Sequence, residues 1–172
     1  MMEVGELPVS LAEAQAFARI ETGEEEALLA GLVRSASALC EAFTGQLLIE
    51  RGFEEVVAAT GAWQRLSVTP VRAIERVEQV AADGSAVALL PGDYEIDIDS
   101  RCDGWVKISG EGRVRVGGRA GMASEANGVP EPLRQGIVRL TAHLFANRDG
   151  EGGEPPAAVT ALWRPYRRMR LA

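Results

Sequence analysis

A single histidine and two cysteines are all that 172 residues offer toward soft-metal or thiol chemistry. Cys40 and Cys102 are far apart in sequence and form no CxxC pair, so a tetrahedral zinc site built from nitrogen and sulfur ligands would lack members. The plain reading is two small buried thiols. No P-loop, GxSxG elbow, HExxH or dinucleotide fingerprint is present. Nucleophilic catalysis would therefore need an unusual set of groups, and neither a cofactor nor a metal is expected. Residues 1–9 carry acids and no basic-then-apolar run, and the chain reads as lacking a stretch of about 20 apolar residues, so the expectation is a cytoplasmic protein with no membrane contact. Positive charge is also short. A net charge of −7 argues against a protein that clamps nucleic acid by neutralising phosphates.

What remains is ordinary for a globular protein: 47% hydrophobic and 25% charged residues, with 19 Gly marking many turns. The charge is unevenly spread. Residues 1–60 hold eleven Asp and Glu against three Arg, whereas residues 160–172 hold Arg164, Arg167, Arg168 and Arg170 and no acid.

Ser10-Leu11-Ala12-Glu13 has the capping-box pattern and predicts a helix over about 10–19. Thr22-Gly23-Glu24-Glu25 repeats it before a helix over about 24–43, stopped by Gly45. Glu24, Glu25 and Glu26 would then face the positive end of the helix dipole. Leu28, Leu32, Leu39 and Phe43 lie on one stripe of that helix, widened by Leu29, Val33, Ala36 and Cys40. From about 46 to 121 the period falls to two, as in Ile74 to Val80 and Tyr94 to Ile98, and Asp83-Gly84 marks a hairpin turn. A third helix over 132–147 opens on Pro130-Glu131-Pro132. Leu133, Gly136, Ile137, Leu140 and Leu144 make its main stripe, and Val138, Ala142 and Phe145 a second one that is free to meet a neighbouring subunit. A polar loop precedes a last helix over 157–163, which Pro165 breaks. The fold class is α+β: a small bundle of about four helices with a central antiparallel β module between the second and third. Residues 1–160 form one domain and 161–172 a basic tail without a partner in the fold.

Three groupings that invite chemistry have plainer readings. Asp93, Glu95, Asp97 and Asp99 alternate along a strand and so share a solvated face, without the glycine-centred loop that holds calcium. Gly117-Gly118-Arg119-Ala120-Gly121 follows a strand but no helix follows it, so it is no phosphate cradle. His143 has no readable nucleophile or carboxylate beside it and is structural.

The order of several short pieces resembles the head-tail connector or adaptor family of long-tailed phages, above all the head-tail adaptors of phage-like gene transfer agents. The pieces are Leu66-Ser67-Val68-Thr69-Pro70-Val71, Asp83-Gly84-Ser85, Pro91-Gly92-Asp93-Tyr94-Glu95, and Val114-Arg115-Val116 leading into Ala120-Gly121. They continue with Val129 to Ile137, Leu144-Phe145-Ala146-Asn147-Arg148 and Leu162-Trp163-Arg164-Pro165-Tyr166-Arg167-Arg168. The sequence departs from the family around Gly117-Gly118-Arg119, where a more apolar approach to the Ala-Gly turn is expected.

The resemblance implies a virion structural protein and not an enzyme. It implies a twelvefold homo-oligomeric ring seated in the neck between the portal protein and a stopper or tail-completion protein. DNA would pass through the lumen without tight binding, and acids there would repel the phosphates. The subunit would wait in the bacterial cytoplasm and end in the particle neck. Trp163, Arg164, Pro165, Tyr166, Arg167, Arg168, Arg170 and Leu171 are the expected portal-binding residues, with Arg suited to bidentate carboxylate pairing and Trp and Tyr to anchoring. Cutting the chain after Ala161 is expected to abolish portal binding and spare the fold. The alternative is a generic protein-interaction or regulatory module using the same tail, and a carboxylate-based enzyme is a more distant rival.

Overall fold

The computed structural model describes residues 6–19, 25–147 and 155–168. They fall into two compact units: Glu50–Met122 forms one, and Glu6–Ile49 joins the chain from Ala123 onward to form the other. The first is thus an insertion in the sequence of the second.

The helical unit begins with α1 (Leu11–Ala18), whose capping box is complete: Ser10 Oγ accepts from Glu13 N at 3.2 Å, and Glu13 Oε2 accepts from Ser10 N at 2.8 Å. These bonds and the nearby Arg134 guanidinium hold the Glu13 carboxyl below its ordinary pKa. Helix α2 spans Glu26–Thr44 and ends at Gly45, whose φ of 69° is the left-handed conformation that favours glycine. The expected cap at Thr22 and Gly23 lies outside the described residues, and the N-cap position is Glu25. Helix α3 (Glu131–Ala146) is opened by Pro130 and Pro132 as expected, and α4 covers Ala157–Trp163.

Which stripe of α2 faces inward differs from the expectation. Leu29, Val33, Ala36 and Cys40 are buried, whereas Leu28 and Leu39 are 43% and 46% exposed. A helix apolar on two sides can bury only one of them against its own chain, and the face that packs on α3 is the one centred on Val33. By length and composition α2 also qualifies as a membrane span, contrary to the sequence reading, although a third of it is buried inside its own unit. Helix α3 is the central element, contacted by α1, α2 and α4. Its Val138 is accordingly buried, with Ala142 and Phe145 half-buried, so its second stripe is partly covered within the helical unit. Each fully buried Leu or Val here contributes about 1.5–3 kcal/mol. The buried hydroxyls of Ser37, Thr44 and Thr141 donate to the carbonyls four residues earlier, which leaves none unsatisfied.

The inserted unit holds seven strands in two antiparallel sheets. Strands β1 (Arg51–Ala58), β7 (Arg113–Ala120), β3 (Val71–Val80) and β4 (Ala86–Ala88) form the first in that order. Strands β2 (Trp63–Arg65), β6 (Gly104–Ile108) and β5 (Tyr94–Ile98) form the second. Phe53, Leu66, Val71, Val77, Val106, Ile108, Val114 and Val116 make its core. The β3–β4 hairpin turns at Asp83-Gly84 as expected, with Ala81 N donating to Ser85 O at 2.8 Å. Strand β5 is less buried than its alternation suggested, with Ile96 44% and Ile98 38% exposed, because it is an edge strand paired only with β6.

The Gly117-Gly118 departure has a packing cause. Register shifts in β3 on either side of Ala73 and Ile74 press its backbone onto β7. A Cβ on Gly118 would overlap the Ala73 carbonyl oxygen, and one on Gly117 would lie 3.1 Å from the Arg76 guanidinium. A side chain is therefore excluded at Gly118 and crowded by Arg76 at Gly117.

Candidate partner-binding segment and its setting

Among the ion pairs that line the β unit, the Arg76–Glu54 pair reaches across β7 at Gly117, Arg119 reaches Glu50 just before β1, and Lys107 and Glu95 lie on neighbouring strands. Arg76 meets Glu54 at 3.0 Å, Arg119 meets Glu50 at 2.8 Å, and Lys107 meets Glu95 at 2.8 Å. Such exposed pairs contribute little individually, about 0.2–1 kcal/mol. Of the four alternating acids, Glu95 is thus ion-paired. Asp99 accepts from Arg101 N at 2.8 Å, Asp103 N at 3.0 Å and Trp105 Nε1 at 3.1 Å, which lowers its pKa. Any stability this turn gives is present above the ordinary Asp pKa and is lost as pH falls through the lowered one. Among the described residues no cluster of three His, Cys, Asp or Glu could hold a metal ion. His143 sits on α3 beside Asn147, whose side-chain nitrogen is 3.3 Å from its Nδ1.

The two thiols differ sharply. Burial pushes the Cys40 pKa up to about 12, aided by the nearby Glu41 carboxylate, whereas Cys102 is half-exposed in a turn. A maleimide is therefore expected to label one thiol per native chain, at Cys102, and two in denaturant, as counted by mass spectrometry.

The basic C-terminal segment does have a partner in the fold, contrary to the expectation of a loose tail. Residues Arg164–Tyr166 form a 3₁₀ turn that Pro165 opens. The chain then returns to the end of α2, where Arg168 N donates to Thr44 O at 2.8 Å and Gln46 Nε2 donates to Tyr166 O at 2.6 Å. The Arg167 guanidinium lies 5.5 Å from the Phe43 ring centroid, within cation–π range. The returning chain lies in ordinary contact with Gly45, where a Cβ would stand 3.5 Å from Arg168 O, so glycine is favoured there by its φ of 69° and not by this approach. The Arg167 guanidinium thus stands near the negative end of the α2 dipole, the favourable sign for that position.

Trp163 must be reassigned from partner anchor to core. It is 1% exposed, its indole N–H donates to Leu133 O at 3.2 Å, and its ring meets Phe43 at a centroid distance of 5.8 Å. Its room is made by Gly136, where a Cβ would overlap Trp163 Nε1. Of the expected portal-binding residues, Arg164, Pro165 and Arg167 are exposed, Tyr166 and Arg168 are half-buried, and Arg170 and Leu171 lie outside the described residues. Sequence reasoning missed Phe43 and Gln46 as the seats of this segment. The only signal was their position beside the Gly45 stop, where helix-end carbonyls need donors.

The chain is thus a helical unit whose sequence is interrupted by an ion-paired β unit, with a basic segment laid on the end of α2.

The particular kind of subunit follows from comparison with solved structures. The chain is similar over its whole length to a chain in the neck of an empty GTA particle computed with C6 symmetry, with 27% identity, a TM-score of 0.78 and 97% of that chain covered. A chain in the neck of the native GTA particle computed with C12 symmetry matches all of this one at 26% identity and a TM-score of 0.74, with 97% of that chain covered. A chain in the virion of a native gene transfer agent has the same fold, with a TM-score of 0.78 at 24% identity, covering 100% of this chain and 96% of its own length. No family model and no curated protein matches the sequence. The resemblance to head-tail adaptors of gene transfer agents is borne out in fold, and the chain has the architecture of a structural subunit of the particle neck.

Proposed function

We propose that this chain is a non-enzymatic head-tail adaptor. Twelve copies form a ring between the portal protein and a stopper, and DNA passes through the lumen without tight binding. One observation carries the reading: the likeness to neck chains runs from end to end at nearly equal length, so both units are accounted for. The net charge of −7 suits a conduit from which DNA must slide freely. Assembly from a cytoplasmic pool and seating in the neck follow from the same reading.

The portal contact is assigned to Arg164, Tyr166, Arg167 and Arg168, with the undescribed Arg170 and Leu171 continuing it. The exposed Arg164 and Arg167 can pair bidentately with portal carboxylates. The burial of Trp163 moves the informative cut from Ala161 to Trp163, because removing Trp163 would open the helical core. A chain ending at Trp163 is expected to keep its far-ultraviolet circular dichroism and to lose the portal in a pull-down, as should the double substitution Arg164→Glu, Arg167→Glu. Portal retention by both would remove the assignment.

A further inference from the structure

We infer that the outward face of α2 is the surface on which a second copy of this chain seats in the ring. The inference rests on the reading of the chain as a ring-forming neck subunit. Opposite the buried stripe, Leu28, Gly31, Leu32, Ser35, Leu39 and Ala42 follow one another along the helix, and no charged residue falls among them at helical spacing. The charged residues Arg34 and Glu41 lie along one border of this face. Leu28 and Leu39 are large apolar side chains left 43% and 46% exposed in a protein that otherwise keeps Leu29, Val33 and Cys40 fully buried on the same helix. Single exposed leucines are ordinary, but an uncharged stripe running the length of a 19-residue helix, about 28 Å, marks a contact surface.

A neighbouring copy is the occupant that fits. Similar chains come from necks with sixfold and twelvefold symmetry, where each subunit of a closed ring meets a neighbour through two different patches. Ser35 and Ala42 between the leucines are small enough for another helix to approach at the usual distance of about 8–10 Å, while at Gly31 the Arg34 guanidinium, 3.7 Å from where a Cβ would stand, edges the stripe. The chain's own α3 has no such face to offer, since three helices already contact it. A lipid bilayer is the rival occupant, because α2 has the length and hydropathy of a span.

Incorporating a photocrosslinking benzoylphenylalanine at Leu39 and irradiating assembled particles tests this. The expected product is a covalent dimer of the 18.4 kDa chain, identified by mass spectrometry. Adducts only to another protein or to lipid, or no adduct in a chain present in the neck, would overturn it. The double variant Leu28→Glu, Leu39→Glu alters only exposed positions and is expected to stay folded and to be held by the portal through its C-terminal segment. Its occupancy should fall about tenfold, the effect of losing roughly one leucine's burial. Unchanged occupancy, or loss of binding to phosphatidylglycerol vesicles instead, would contradict the inference. Failure of the wild-type chain to enter particles at all would instead overturn the adaptor reading beneath it.

Discussion

Replacing Gly136 by Leu should unseat Trp163 and cost the helical unit about 3–5 kcal/mol, the range for losing a large buried aromatic. The position admits no side chain because the indole occupies it: a Cβ would lie 2.8 Å from Trp163 Cδ1 and Cε2 as well as overlapping the ring nitrogen. Leu has the better helix propensity by about 0.8 kcal/mol, so a purely local account predicts stabilisation. The packing account predicts the opposite sign. Displacing the indole also breaks its bond to Leu133 O and its contact with Phe43, on which Arg167 lies. The expected result is therefore twofold: a lower denaturation midpoint followed by Trp163 fluorescence, in a background with Trp63 and Trp105 replaced by Phe, and weaker portal binding. A midpoint equal to or above that of the parent would refute the packing account.

The second large effect is expected at Gly118, in the middle of β7. Gly118→Val places a side chain against the Ala73 carbonyl and within 3.0 Å of Ile74 Cα. These are backbone atoms that cannot step aside as a flexible side chain can. Since Gly118 pairs with Phe53 on one side and Ile74 on the other, relief requires parting two strand pairs at once. A loss of about 3 kcal/mol or more in the β unit is expected, the range seen when backbone strain meets a packed core. Hydrogen exchange should show the amides of 51–58, 71–80 and 113–120 losing protection together. Retained protection across those strands would mean that β3 shifts freely, and the register irregularities would lose their explanation.

Much of this molecule was legible before its structure. The Ser10–Glu13 box, the Gly45 stop, the proline-led third helix and the Asp83-Gly84 turn are each set by local chemistry, and each stands where the sequence put it. What escaped depended on contacts distant in sequence. Helical spacing marks Leu28 and Val33 as apolar but cannot say which faces α3. Trp163 and Tyr166 look alike as anchors until Gly136 is found to make room for one of them. The glycine pair at 117 and 118 reads as a departure from family pattern until bulges in β3, more than forty residues earlier, bring Ala73 against it. The basic segment seemed free because its partners, Phe43, Thr44 and Gln46, carry no charge to advertise them.

The most direct test of the adaptor reading is electron microscopy of particle necks made with and without this chain. The reading predicts a ring of twelve copies next to the portal in the complete particle, with the described fold fitting each, and heads without attached tails when the chain is deleted. Necks that are complete, tailed and unchanged in its absence would contradict it.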